Sequence, residues 1–475
     1  MSIVSHLTAA VVTNTNDSGP GSLRDVIATA SANDTITFDS SLDGQTIVLT
    51  NGQLNITNNL TIDASALSNR ITITGNSNSP VLGFSYGTTN ELKSLTITGG
   101  QGGIFSSGTL VLDTCIVRGN RTGDGGGIFN DFGAALSVNN STISGNSASS
   151  VGGGIQTRYL LSISNSTVSG NSAGSDGGGI SVATFGDVTI VNSTISGNVA
   201  KNSGGGMVLF GKANIKYSTI SGNHATNSGG GVWIAPAMSA SLSIENSIIA
   251  GNSAPVAPNI SGTISNASGS NLTNGSPALA PLGDYGGFTL TMPPLPGSPV
   301  IDAATTTPDT PVTDQRGAMR PGGPLPDIGA VEAVAFSKLG LEDGDSDGIA
   351  DILEGFDGPY PQFTVGTDDS GLDTDGDGSP DWEELFNMTA LDNPVDNFRI
   401  LSMSRALGFN AETNPVVEVT LRTFPDLAYE LEAGSTLTGF QTITNSQITS
   451  TNHTETIQVS LPTGQGRAFV RAKRD

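Results

Sequence analysis

The sequence predicts an all-β chain: a right-handed parallel β-helix, or solenoid, followed by an acidic linker and a small β-sandwich. Two repeated markers and a strand pattern carry that prediction. A Gly-Gly-Gly-apolar step occurs at residues 125–128, 152–155, 177–180, 204–207 and 229–232, at spacings of 27, 25, 27 and 25 residues. A Gly-Asn pair precedes each triplet, at Gly119-Asn120, Gly145-Asn146, Gly170-Asn171, Gly197-Asn198 and Gly222-Asn223, with a sixth at Gly251-Asn252. Two markers locked to one period define stacked repeats. Between them, segments such as Leu161-Ser162-Ile163-Ser164, Val188-Thr189-Ile190 and Leu242-Ser243-Ile244 alternate apolar with small polar residues. That is the two-residue period of a half-buried strand.

Residues 1–40 read as a cap on the front of the stack, because the first strand of a solenoid presents unpaired backbone groups. Ser22-Leu23-Arg24-Asp25 resembles a capping box, and Leu23, Val26, Ile27 and Ala30 share one helical face. Residues 41–260 form the β-helix, with about eight coils between Gln45 and Ile260 and roughly 40 Å of stack at ~4.8 Å per coil. The glycines permit positive φ and close approach of successive coils. The asparagines suit left-handed corners and can bond amide to amide up the stack. These roles account for both markers without any catalysis. The single Cys115 falls in a coil strand and reads as a small core residue.

Residues 261–335 read as a C-terminal cap. Thirteen of the 23 prolines fall between Pro255 and Pro326, so the repeat ends there. LAPLGDYGGFTLTMPPLPGSPVIDA (279–303), TDQRGAMRP (313–321) and DIGAVE (327–332) together resemble the choice-of-anchor Q domain that ends bacterial surface β-helices. VTNTNDSGPGSLRDVI (12–27) is similar to the usual front end of those proteins. The resemblance covers most of residues 11–333 and implies a secreted or surface-held protein with no assigned reaction. GNSASSVGGGI (145–155) is also similar to repeats of chlamydial polymorphic outer membrane proteins, which are adhesins, although Ile or Val stands where their companion motif has Phe.

Residues 336–397 carry the most specific chemical signal. Asp343, Asp345, Asp347, Asp351 and Glu354 occupy positions 1, 3, 5, 9 and 12 of a loop with Gly348 at position 6 and the Ile349 carbonyl at position 7. Asp373, Asp375, Asp377, Asp381 and Glu384 repeat the pattern, with Gly378 and the Ser379 carbonyl. This spacing wraps oxygens round one Ca2+ per loop, the glycine allowing the sharp turn and the final Glu binding through both oxygens. From Glu342 to Asn397 there are 17 acidic residues and no Lys or Arg, which supplies most of the net charge of -24. An acidic run without spacing would simply stay solvated. No helix leads into either loop, so paired EF-hands do not fit. The pattern resembles thrombospondin type 3 repeats, which implies a calcium-stiffened connector. Dockerins are the competing likeness, but they carry Asp at position 12.

Residues 398–475 contain strand-like runs at 416–420, 429–432, 456–459 and 469–471, the content of a small β-sandwich. AYELEAGSTLTGFQTI (428–443) resembles the terminal β-modules of bacterial surface proteins.

The acidic balance and absence of basic patches disfavour nucleic acid. There is no run of 18 apolar residues, hence no transmembrane segment is expected, and no signal peptide is evident at residues 1–10. His6, His224 and His453 fit no metal spacing. The expectation is therefore an extracellular or cell-surface scaffold, adhesin-like, meeting glycans or surface molecules along its flat strand faces. The alternative is a calcium-dependent polysaccharide lyase or related β-helix enzyme. For that reading, Asp124, Asp176 and Arg158 are the side chains that neighbouring coils would have to bring together.

Overall fold

The computed structural model describes residues 10–333, except Asn78, Ala237, Met238 and Pro296, together with the backbone of the strands between 399 and 474. The chain divides into two compact units, Met1–Ala333 and Val334–Asp475.

The first unit is a parallel β-helix. One sheet has eleven strands, from Ala10–Val12, Asp34–Phe38 and Leu60–Asp63 through to Asn266–Ser268. Two sheets have nine, running from Thr46–Val48 to Ile248–Ile249 and from Leu54–Ile56 to Ile260–Ser261. A fourth has five two-residue strands, from Arg121–Thr122 to His224–Ala225, and spans only the coils that carry both glycine markers. Eleven strands make a stack of roughly 48 Å at ~4.8 Å per step. Eight of these strands fall between Gln45 and Ile260, as the sequence suggests, and three lie outside: Ala10–Val12 and Asp34–Phe38 in the segment read as a cap, and Asn266–Ser268 beyond the last marker.

Register is held by the apolar residues, which stack on their own kind coil after coil. Leu112, Val138, Ile163, Ile190, Ile215 and Ile244 form one such inward row. Ile97, Val117, Ile143, Val168, Ile195 and Ile220 form a second. A one-residue slip would turn each row out to solvent, so burial itself selects the register. All of these side chains are buried in a single continuous core.

The Gly-Asn marker divides its labour. The glycine takes the left-handed corner, as at Gly145 (φ +61°) and Gly170 (φ +62°). The asparagine turns inward into an amide ladder: the Asn171 Oδ1 accepts from the Asn146 backbone N–H (2.9 Å) and Nδ2 (3.0 Å), while its own Nδ2 donates to Ile143 O and Asn198 Oδ1. The same bonds recur from Asn120 to Asn252. Left-handed asparagines do occur, but at another corner, at Asn140, Asn165, Asn192 and Asn246. The triplet glycines are needed for close approach. A Cβ on Gly154 would lie 2.7 Å from the Gly179 carbonyl oxygen and 3.0 Å from Asn171 Nδ2.

At the front, helix Leu23–Thr29 starts on Ser22, whose hydroxyl accepts from the Asp25 N–H, and buries Leu23, Val26 and Ile27 in the same core. Arg24 ties it down, pairing with Asp17 (2.8 Å) and donating to the Gly52 and Gln53 carbonyls. Among the described residues no helix is long and apolar enough to cross a membrane.

Residues 277–333, most of the proline-rich stretch that ends the repeat, lie along the flank of the stack. They engage four successive left-handed corners. Thr289 Oγ1 donates to Asn165 O, Asn192 Nδ2 donates to Thr313 O, the Tyr217 hydroxyl bonds Thr310 Oγ1 (2.8 Å), and Asn246 Nδ2 donates to Thr305 O (2.8 Å). Gln315 bridges two coils, accepting from Thr194 Oγ1 (2.6 Å) and donating to Thr167 Oγ1 (3.0 Å).

In the second unit, Arg399–Arg405, Val416–Arg422 and Thr454–Ser460 form one antiparallel sheet. Ala428–Gly434 pairs with Gln441–Thr442, Ile448–Thr449 and Phe469–Arg474 in another. The segments joining these strands, and the whole connector 336–397, lie outside the described residues.

Candidate functional site

Most charged residues in the flank segment are architectural. Arg320 is buried against the Tyr217 ring (4.7 Å) and pairs with Glu332 (2.9 Å), while Arg316 pairs with Asp314 (2.8 Å). Glu332 also accepts from the Gly322 and Asp327 N–H groups. Burial nevertheless pushes the Glu332 and Asp327 carboxyls above their ordinary range, against the pull of Arg320 on both, of these N–H donors on Glu332, and of the Ala333 and Asp302 N–H groups on Asp327. Thus Asp314, Gln315, Arg316, Arg320, Asp327 and Glu332, the polar residues of the two shorter motifs, fasten this segment to itself and to the coils.

The acids and base singled out for catalysis do not converge. Asp176 sits two coils beyond Asp124 at the same loop position, and holds Asn202 Nδ2 (2.7 Å) and the Ser203 N–H (3.0 Å). Asp124 Oδ1 accepts from the Val151 N–H (3.3 Å). Arg158 lies at the opposite end of strand Ile155–Thr157 from that loop, pairs with Asp131 (3.3 Å) and covers the Phe129 ring at 4.8 Å. Among the described residues no three His, Cys, Asp or Glu side chains are grouped to hold a metal. The loops containing Asp343, Asp345, Asp347, Ile349, Asp351 and Glu354, and Asp373, Asp375, Asp377, Ser379, Asp381 and Glu384, lie outside the described residues.

What the fold does assemble is an aromatic edge. The corner between the third and first sheets carries Tyr86, Phe132, Tyr159, Phe185 and Phe210 on different coils, and Tyr86, Phe132 and Phe185 are 80%, 60% and 71% exposed. Phe132 contacts Tyr159 (5.6 Å between centroids) and Phe185 (5.8 Å, edge to face), and Phe210 meets Trp233 at 5.8 Å. Beside this row, Phe105 and Phe129 stack at 5.3 Å on the outer face of the third sheet. A shallow cavity of about 230 Å³ adjoins that pair, lined by Pro80, Gln101, Ile104, Thr122 and Asp124. Gly133, at φ +82°, turns the corner beside Tyr86. Only 5% of the chain is aromatic, so eight aromatic rings on one side of the stack make a concentration, not a scatter. Exposed apolar patches of this kind mark contact surfaces.

Sequence reading passed over this edge, although its signal is present. An aromatic residue falls six to eight positions after the first glycine of four successive triplets, at Phe132, Tyr159, Phe185 and Phe210. The flat strand faces expected to meet a partner are partly closed instead: Thr167, Thr194 and Thr219 are buried beneath the flank segment.

Fold and site together define a parallel β-helix with an exposed aromatic edge. No family model matches the chain, and neither a curated protein nor a solved structure does.

Proposed function

We propose that this chain is a secreted or cell-surface β-helix scaffold, adhesin-like, that contacts glycans through its aromatic edge. The observation that supports the reading is the exposed row Tyr86, Phe132, Tyr159, Phe185 and Phe210, since aromatic rings give sugars an apolar face with little loss of side-chain freedom. In this reading the β-helix is right-handed, by the strong preference of parallel crossovers. The resemblance of most of residues 11–333 to choice-of-anchor Q proteins supports a location outside the cell, and the module at 398–475 closes as a β-sandwich. The connector binds Ca2+ through Asp343, Asp345, Asp347, Ile349, Asp351 and Glu354 and through Asp373, Asp375, Asp377, Ser379, Asp381 and Glu384, with affinity in the ~0.1 to 1 mM class of extracellular modules.

Binding of the full chain to a panel of immobilised polysaccharides, compared with a Phe132→Ala, Phe185→Ala double variant of unchanged circular dichroism, tests the reading. Retention that the double variant loses is the expected result. No retention on any glycan, or equal retention by both proteins, refutes it. Calorimetric titration with Ca2+ tests the connector: two sites are expected, both lost in a Glu354→Ala, Glu384→Ala variant.

A further inference from the structure

The aromatic edge has a direction and a charge, and both constrain the glycan. Rings occupy this corner on five of the seven coils from Tyr86 to Trp233, and Phe105 and Trp233 on the adjoining third sheet serve the other two, so the row runs along the stack axis. From Tyr86 to Trp233 it crosses seven coils, a length of roughly 29 Å at ~4.8 Å per coil. Strand register fixes this alignment, since the third sheet pairs Phe105 with Phe129, and Val208 with Trp233, on consecutive coils. The advance of one pyranose ring along an extended β-linked chain is close to one coil step.

Charge along the row cancels locally. Arg158 is held by Asp131 and by the Phe129 ring, and Asp187 faces Lys212 in register on the neighbouring strand. Each cation stands beside an acid, Arg158 in an ion pair and Lys212 in strand register only. The first unit, with 19 acidic residues against 11 basic ones up to Ala333, also carries a net negative charge that repels polyanions over distance.

Resting on the glycan-binding reading above, we infer that the edge binds an uncharged, extended, β-linked polysaccharide lying parallel to the stack axis, with one sugar per coil between Tyr86 and Trp233. Apolar ring faces of the bound sugars meet Phe132, Phe185 and Phe210. The hydroxyls project sideways toward the polar outer row of the first sheet, Ser137, Ser162, Thr189 and Asn214.

Calorimetry of the full chain with a length series of neutral cello-, xylo- and chito-oligosaccharides, and separately with polygalacturonate, tests the inference. Affinity for at least one neutral series is expected to rise with each added sugar and level off near about seven units, one per coil of the row. Phe185→Ala is expected to weaken the longest ligands about ten-fold and to leave disaccharides little changed. Polygalacturonate binding that exceeds every neutral series, yet is lost in the Phe132→Ala, Phe185→Ala variant, overturns the inference while the glycan-binding edge stands. An affinity independent of chain length also overturns it. Absence of binding to every neutral and acidic glycan removes both, as does self-association of the free chain that the double variant abolishes.

Discussion

Asn171→Ala removes one rung of the amide ladder and leaves the surrounding packing in place. Four hydrogen bonds disappear: two accepted by Asn171 Oδ1 from Asn146, and two donated by its Nδ2, to Ile143 O and Asn198 Oδ1. The Asn146 backbone N–H is left buried without a partner, which costs about 1–3 kcal/mol. The other three bonds contribute about 0.5–1.5 kcal/mol each. Losses within one network do not simply add, so the expected destabilisation is about 3–6 kcal/mol. Asn202→Ala is the control: it removes an exposed amide bonded to Asp176 and Asn227, and is expected to cost under about 1 kcal/mol. Because coils open as neighbours more than as one body, the assay is amide exchange at Asn120, Asn146 and Asn171 in the full chain, supported by urea unfolding. If Asn171→Ala stays within about 1 kcal/mol of Asn202→Ala, the ladder is decorative and the reasoning fails.

Other outcomes follow from the same geometry. Gly154→Ala places a methyl 2.7 Å from the Gly179 carbonyl oxygen and is expected to cost more than about 2 kcal/mol, whereas Gly145→Ala, with open space but φ +61°, costs about 1 kcal/mol; urea midpoints separate them. The Cys115 thiol is buried and pushed up to about 12, so it should resist aromatic disulfide reagents in the native chain and react only after unfolding. Acid is expected to act oppositely at the two ends of the first unit. Burial opposes ionisation of Asp17, but bonds from Arg24, Asn51 and Thr50 outweigh it and hold that carboxyl below its usual range. Its stabilisation is therefore present above the ordinary aspartate value and is lost as pH falls through the lowered one. Glu332 and Asp327 are raised, so the flank segment is most stable below ordinary carboxylate values and loses stability as pH rises through the raised ones. Amide protection factors near Thr50 and near Ala330, corrected for the intrinsic pH dependence of exchange, should thus move in opposite directions on acidification.

The parallel coils were legible because their constraints are local and repeat. Only glycine fits where Gly154 meets the next carbonyl, and only a short amide spans adjacent rungs, so both residue types recur at the coil period. The front helix was legible for a similar reason, since Ser22 and the face formed by Leu23, Val26 and Ile27 lie within nine residues. The course of residues 277–333 was not, because their partners lie as far as 149 positions away, as Gln315 does from Ser166, and follow no period. The aromatic edge was half-hidden: its residues drift by a position or two within corners of unequal length. Composition registered them as a scarce residue type and could not show that they share a side. Asp124, Asp176 and Arg158 illustrate the converse, since proximity in sequence to one repeat marker did not place them on the same end of a strand.

The flank segment also sets an order of events. Coils can stack one by one as the chain emerges from the ribosome, each on a neighbour already made. The fastening across the corners at Asn165, Asn192, Tyr217 and Asn246 exists only once residues near 333 are available. The last-made part of the first unit therefore closes over coils completed about a hundred residues earlier, converting four separable turns into one block. A chain truncated before Thr289 would keep every coil strand and lose that closure, leaving its rear turns free to peel from the end.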